Sequence, residues 1–257
     1  MIDRNTLHNA DCFDIIPLIA DTSVDLILCD LPYGTTACRW DTPLDLPRLW
    51  KEYERVIKPN GAIVLFGSQP FTTSLISSKP ELFKYVWYWI KNKQNGFQQA
   101  RNRPMTKAED IAVFSKAPTG HASLLGERRM KYFPQGVIEE GEKTITRAYQ
   151  GAIYGERPKQ VGRTYTPMKG VPSNVLHFDV PKDRERFHPT EKPVDLLAYL
   201  VKSYTNEGEL VLDNTMGVGS TCVAALRTGR DYIGIEKEYN YFDIACKRLE
   251  QESRKAA

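Results

Sequence analysis

The chain has 257 residues, 41% of them hydrophobic, which is enough to bury the core of one α/β domain with an insertion, or of two small domains. That composition excludes intrinsic disorder, collagen and repeat arrays. With 35 Lys and Arg against 32 Asp and Glu, the net charge is only +3 and by itself points to no class of partner. No run approaches the roughly 18 apolar residues of a membrane span. The amino terminus, MIDRNTLHNADCFD, lacks the charged-then-apolar pattern of a signal peptide, so a soluble, cytoplasmic protein without membrane contact is expected. Cys12, Cys29, Cys38, Cys222 and Cys246 lie far apart, with no C-x-x-C pair and few histidines nearby; they read as reduced thiols, and no metal is expected.

In chain order, Val24–Cys29 (VDLILC) is a short apolar run that predicts a strand stopping at Asp30. Residues 45–57 place Leu46, Leu49, Trp50, Tyr53, Val56 and Ile57 at helical spacing, with Pro59-Asn60-Gly61 as the stop. Ala62–Phe66, Phe83–Ile90 and Asp110–Phe114 predict three further strands. From about Pro118 to Pro172 the periodicity is lost, and eight of the seventeen glycines fall between Gly120 and Gly170, which predicts a loop-rich insertion. Leu196, Leu197, Leu200, Val201 and Tyr204 then form one helical face, with Thr190 as a candidate cap. A strand (Glu209–Leu212), a glycine turn, a helix to Gly229, a strand (Asp231–Ile235) and a helix from about Tyr239 complete the chain.

That last sequence of elements is the nucleotide-binding half of a Rossmann-like unit. In VLDNTMGVGSTCVAAL, Gly217 and Gly219 stand where a strand hands over to a helix, so the backbone can approach a ligand that a Cβ would block. A lone G-x-G also serves as a plain tight turn. Here Asp213 ends the strand before it and Glu236 ends the next one, placed to hydrogen-bond ribose hydroxyls. No Lys follows the glycines, so the turn is not a triphosphate loop.

Asp30-Leu31-Pro32-Tyr33-Gly34 follows directly on a buried strand, at the carboxyl edge where open α/β sheets keep their sites. D-x-P-Y alone is more often a turn. At this position it makes a tool for a planar amine: the Asp30 carboxylate and the Pro32 carbonyl accept the two amino hydrogens, so that the nitrogen lone pair points at an electrophile. Tyr33 stacks on the ring.

Three segments together resemble the S-adenosylmethionine-dependent amino-methyltransferases of DNA, in the permuted order of the β class. Asp30–Tyr33 matches the family's D-P-P-Y, Asp213–Thr221 its D-P-F-x-G-x-G-T-T, and His188-Pro189-Thr190-Glu191-Lys192-Pro193 its H-P-T-x-K-P. The resemblance covers residues 5–117 and 173–250. It implies a Rossmann-like fold, a mostly parallel sheet with helices on both faces, divided into a catalytic part (1–117), a target-recognition insertion (118–172) and a cofactor part (173–257). Asp30, Pro32 and Tyr33 are the implied catalytic residues. The implied S-adenosylmethionine contacts are Asp11, Cys12, Asp30, His188, Thr190, Lys192, Pro193, Asp213, Gly217, Gly219, Ser220, Thr221 and Glu236. Leu31 replaces a proline of the pattern, and Asn214-Thr215-Met216 replace P-F and a variable residue.

An Asp at the first motif position is usual for adenine N6 and a Ser for cytosine N4, so the implied activity is site-specific adenine-N6 methylation of double-stranded DNA, on a base flipped out of the duplex. Cytosine N4 is the alternative, and an inactive DNA-binding relative of the fold is a third reading. Carbon-5 methylation needs a cysteine after a proline, and none is present. The resemblance implies a bacterial or phage modification enzyme, either with a separate restriction-nuclease partner or standing alone, and members of the class often pair as homodimers. For DNA contact the basic residues suggest Lys93, Arg101 and Arg103 in the acid-free stretch from Lys84 to Lys107, interleaved with Trp87, Tyr88, Trp89 and Phe97. In the insertion they suggest Arg128, Arg129, Lys131, Arg147, Arg157, Lys159 and Arg163. These two windows carry +6 and +4, which leaves an acidic body beneath the bland total.

Overall fold

The computed structural model describes residues 2–34, 41–145, 150–151, 155–156, 162, 164–182, 187–188 and 190–256. The chain divides into two compact units, one of Met1–Phe133 with Asn174–Ala257 and one of Pro134–Ser173. The first is built on an eight-stranded sheet: β1 (Thr6–Asn9), β2 (Val24–Cys29), β3 (Ile57–Gly67), β4 (Phe83–Asn95), β5 (Thr106–Phe114), β6 (Val175–His177), β7 (Leu210–Asp213) and β8 (Asp231–Glu236). Their spatial order is β1-β8-β7-β2-β3-β5-β4-β6. All neighbours pair parallel except β5, which runs antiparallel to β3 and β4. The expected mostly parallel α/β sheet is the observed one.

Helices cover both faces because the central strands are apolar on both sides, every residue of β2 being buried. One face packs Leu26, Leu28, Val64 and Ile111 against α4 (Val194–Tyr204), α5 (Ser220–Arg227) and α6 (Tyr239–Ala256). The other packs Ile27, Cys29, Ile63 and Leu65 against α1 (Cys12–Ile15), α2 (Leu46–Val56) and α3 (Phe71–Ser78). From β2 the chain moves outward through α2 to β3; from β7 it moves the other way through α5 to β8. The order therefore reverses between β7 and β2, and the crevice beyond their carboxyl ends is where such sheets bind ligands.

Several boundaries differ from the sequence expectation. Helix α2 ends at Val56, because Ile57 is already extended and pairs with Val24, so Pro59-Asn60-Gly61 lies inside β3. Strands β4 and β5 run beyond their apolar cores, as a hairpin whose polar half extends to Asn95 and Thr106. Helix α4 is preceded by Pro193 at its cap; the Thr190 hydroxyl is taken by His188 Nδ1 at 3.0 Å and caps nothing. The expected insertion of 118–172 also divides. Met130 is buried in the core of the first unit and the Lys131 amide bonds the Asn60 carbonyl, so the second compact unit begins only at Pro134. Within that unit short antiparallel pairs form between Ile138–Glu139 and Met168–Lys169 and between Lys143–Thr144 and Thr164–Tyr165.

Candidate active site

The carboxyl ends of β2 and β7 open into a cleft of about 1320 Å³ lined by Asp30, Leu31, Pro32 and Tyr33 from one motif and Asp213–Val218 from the other. Leu31 is 3% exposed and packs with the core beneath, so a buried side chain anchors this turn where the family pattern has its first proline. Both Asp30 oxygens are held: Oδ1 accepts from Tyr33 Oη at 2.7 Å and Oδ2 from Lys192 Nζ at 2.5 Å. The Tyr33 ring stacks on Phe71, centroids 4.8 Å apart and planes 23° from parallel, so one face is backed by an aromatic wall.

Glu109, which the motifs did not single out, completes this end. Its carboxylate lies 2.9 Å from Lys192 Nζ through Oε1 and 2.5 Å from Lys91 Nζ through Oε2, and it accepts from Tyr33 Oη at 3.3 Å. Strand alternation is the signal that would have found it: Glu109 shares its side of β5 with Ile111 and Val113, which face the core, and Lys91 shares its side of β4 with Trp87 and Trp89. A carboxylate on a core-facing position needs a cation. Burial works against the Lys192 charge, yet Asp30 and Glu109 hold its ammonium well above the ordinary range. Burial likewise opposes the Glu109 charge, and Lys192 and Lys91 keep its carboxyl below the usual value. Asp30 is raised by burial, with Lys192 opposing and Glu109 adding to the rise.

The opposite end is acidic and hydroxyl-rich. Glu236 Oε2 accepts the Gly217 amide at 2.9 Å and Oε1 the Glu238 amide at 2.7 Å, which fixes a half-buried carboxylate facing the cleft. Gly217 has φ +53 and nothing within 4 Å of where a Cβ would stand, so its surface is open to close approach. Gly219 differs. It has φ +77, a Cβ there would meet Ala245 Cβ at 2.9 Å, and it is required for α5 to pack on α6. Asp11 caps α1 by accepting the Phe13 amide, and Lys237 lies 3.2 Å from its other oxygen. Burial pushes the Asp213 carboxyl up to about 7. The Cys12, Thr190, Ser220 and Thr221 side chains lie along the same wall, as does His188, whose ring meets Tyr241 edge-on at 4.5 Å. Pro193 lies outside the lining, at the head of α4, and Pro189 lies outside the described residues.

The residues that depart from the family pattern at the glycine turn have structural work. Asn214 Oδ1 accepts from Tyr53 Oη at 2.5 Å and from Cys29 Sγ at 3.0 Å, satisfying two buried donors. Thr215 Oγ1 donates to the Asp30 carbonyl at 3.1 Å. Glu191, the variable position of the third segment, is also fixed, by Arg248 at 2.8 Å and by Ser220 Oγ at 3.0 Å. Carboxylates for a ribose diol and an ammonium, hydroxyls for a carboxylate, and an open backbone at Gly217 together fit S-adenosylmethionine.

The basic residues separate by where the fold places them. Lys93 and Arg103 line the cleft mouth, and Arg101 is exposed on the adjoining β4–β5 connection with Phe97, 82% exposed. Lys131 corrects the expectation of DNA contact: its ammonium is bound to fully buried Asp25 at 2.9 Å and to Glu209 at 2.5 Å, at the amino-terminal end of β2 and β7, opposite the cleft. Arg128 and Arg129 directly precede it and are absent from the cleft lining. Arg147, Arg157, Lys159 and Arg163 lie outside the described residues. Lys91 is likewise turned inward onto Glu109, and Trp87 and Trp89 are core residues whose indoles donate to Tyr204 Oη and the Phe178 carbonyl; Lys91 and Trp89 reach the cleft wall, and Trp87 does not. Among the described residues, no helix is long and apolar enough to cross a membrane.

Comparison with known proteins places this architecture. The type II methyltransferase M1.MboII of Moraxella bovis is 28% identical over 98% of this chain and 98% of its own length. M.HpaI of Haemophilus parainfluenzae is 26% identical over 91% of this chain and 70% of its own. Among solved structures, the complex of M1.HpyAVI with S-adenosylmethionine superposes with a TM-score of 0.59 at 24% identity, covering 95% of this chain and 99% of that one. The cytosine-N4-specific PvuII DNA methyltransferase shares the fold at a TM-score of 0.68 and 14% identity, covering 97% and 87%. Residues 24–247 match the N6/N4 DNA methylase family. The chain belongs to that family and is an S-adenosylmethionine-dependent, site-specific DNA methyltransferase.

Proposed function

We propose that the chain methylates the N6 amino group of adenine, with Asp30, Pro32 and Tyr33 as the residues that touch the base. The observation that carries this reading is the Asp30 carboxylate, fixed by Lys192 and Tyr33 at the cleft with the ring of Tyr33 beside it. When bound, S-adenosylmethionine would supply an electrophilic methyl group on a sulfonium, whose S–C bond breaks as the N–C bond forms and which leaves as a neutral thioether. Each Asp30 oxygen keeps an unused lone pair, so the carboxylate can accept one amino hydrogen while the Pro32 carbonyl accepts the other. Withdrawing both hydrogens from the ring plane turns the nitrogen lone pair toward the methyl carbon. Positioning therefore supplies most of the rate. The target base stacks on the face of Tyr33 that Phe71 leaves uncovered, which requires it to leave the duplex. After transfer the nitrogen is cationic and acidic; Asp30, already hydrogen-bonded to it, is the first acceptor of the departing proton.

Asp11, Cys12, His188, Thr190, Lys192, Asp213, Gly217, Ser220, Thr221 and Glu236 form the cofactor wall in this reading, with Pro193 and Gly219 setting the backbone behind it. Lys93, Arg101 and Arg103 hold the DNA backbone at the mouth. The test is methylation of unmodified DNA with labelled S-adenosylmethionine, followed by digestion to nucleosides and mass spectrometry. N6-methyladenine is expected. N4-methylcytosine would overturn the base assignment, and absence of any labelled nucleoside would leave a binding protein.

A further inference from the structure

We infer that Glu109 is a positioning residue for methyl transfer, one that holds Lys192 and Tyr33 against the two oxygens of Asp30. The inference rests on the reading of Asp30 as the carboxylate that orients the amine. The geometry is a closed set of contacts drawn from four parts of the chain. Lys192, just ahead of α4, bridges Asp30 after β2 (2.5 Å) and Glu109 on β5 (2.9 Å). Tyr33 Oη reaches both carboxylates, at 2.7 and 3.3 Å. Lys91 on β4 closes the set from behind, 2.5 Å from Glu109 and 11% exposed.

With all four groups ionised the set is neutral, two carboxylates against two ammoniums. Neutrality is what makes its burial tolerable, and removal of one member leaves an uncompensated charge among the rest. Lys192 would have one anchor without Glu109 and would swing with Asp30 as a pair; with Glu109 its ammonium is also pinned from β5, a strand paired on both sides within the sheet. Because Tyr33 Oη is drawn toward the same carboxylate, Glu109 also sets where the stacking ring stands relative to Asp30. A shift of 1 Å in either group is enough to spoil a near-attack arrangement.

Charge deletions of opposite sign test this. The charged and titratable groups that face Asp30 are Lys192, Glu109 with Lys91 behind it, Tyr33, His188 and Asp213. Glu109→Gln removes a negative neighbour and keeps the shape. Its single-turnover methylation rate is expected to fall about 10- to 100-fold, and the acid limb of the rate to move to lower pH by about 1 unit. Among the described residues the Lys91 ammonium meets only Glu109 and the Trp89 ring, so Lys91→Met acts through Glu109. It leaves an excess negative charge and is expected to move the same limb upward. Glu109→Asp, which keeps the charge, is expected to keep the wild-type limb. Binding of S-adenosylmethionine by calorimetry is expected to stay within a few-fold for all three.

Limbs that do not move, or that move the same way in both deletions, overturn the proposal, as does a Glu109→Gln rate equal to wild type. Should Glu109→Gln fail to fold, the upward shift in Lys91→Met decides the matter alone. Asp30→Ala run alongside separates the two levels. If it keeps the wild-type rate, the reading of Asp30 is wrong; if it is inactive while both charge deletions behave as wild type, only the role of Glu109 is lost.

Discussion

Thr215 Oγ1 donates to the main-chain carbonyl of Asp30 at 3.1 Å, joining the ends of two adjacent parallel strands across the point where the sheet reverses its order. The Asp30–Tyr33 turn and the glycine turn are joined here between residues 185 positions apart in sequence, beside the contact of Cys29 Sγ with Asn214 Oδ1 at 3.0 Å. Thr215→Val keeps the volume and removes the donor. It is expected to cost about 1 kcal/mol of stability and to slow single-turnover methylation, because the Asp30–Leu31 peptide loses its tether. Thermal unfolding and the methylation rate check this, with Thr215→Ser expected to restore both. Equal rates in all three proteins would show the tether to be dispensable.

The pH dependence follows from Asp30. Burial raises its carboxyl above the usual range while Lys192 opposes the rise, and only the ionised form has the charge that draws both the amino hydrogen and the later proton. The rate should therefore fall as pH falls through the Asp30 value, with a midpoint above that of an ordinary carboxylate. Lys192, held protonated by its two carboxylates, sets no limb near neutrality. Single-turnover rates from pH 5 to 9 test this, and Asp30→Asn is expected to lower the plateau by about 100-fold or more. A profile flat down to the ordinary carboxylate range would contradict it.

The two glycines of the turn should respond differently to alanine. At Gly219 both φ +77 and the 2.9 Å approach to Ala245 oppose a Cβ, so Gly219→Ala is expected to destabilise the fold by roughly 1–3 kcal/mol. At Gly217 the space is open and only φ +53 is unfavourable, so the stability loss should be about 1 kcal/mol. The new methyl group would, however, stand on the cleft wall beside Glu236. The expected outcome is a larger loss of cofactor affinity for Gly217→Ala than for Gly219→Ala, and the reverse order in thermal stability. Calorimetric binding and unfolding on the same two proteins measure both.

How much of this was legible in the sequence depends on whether an interaction is local. Asp30-Leu31-Pro32-Tyr33 and the glycine turn announce themselves because a strand end, a turn and a helix start are set by neighbouring residues. The apolar strands of the sheet were equally plain. Glu109 was not, since its partner Lys192 lies 83 residues beyond it and only the closed sheet sets that carboxylate between Lys192 and Lys91. Composition counted Lys131 as a DNA-facing cation and put Lys91 inside the basic stretch from Lys84 to Lys107, but charge along a sequence carries no direction. Both ammoniums point inward to buried carboxylates. Alternation along β4 and β5 held the information about Lys91. Nothing local to Lys131 held it, because Asp25 is 106 residues away.

That distinction yields a last prediction, on two cations the sequence treated alike. Arg103 lines the cleft mouth and is exposed, so Arg103→Ala should weaken binding to a DNA duplex, and the slope of log affinity against log salt should become shallower by about 1. Lys131→Ala should leave that slope unchanged. Its ammonium neutralises Asp25, which is fully buried and among the described residues shared only with Lys58 and the Leu210 amide, and it holds Glu209 at the same end of the sheet. Losing it should cost roughly 2 kcal/mol or more of stability, visible in denaturant unfolding. The two measurements cross: one variant alters salt dependence without lowering stability, the other lowers stability without altering salt dependence. A Lys131→Ala protein of wild-type stability with a shallower salt slope would return that residue to the DNA interface and place the amino-terminal edge of the sheet against nucleic acid.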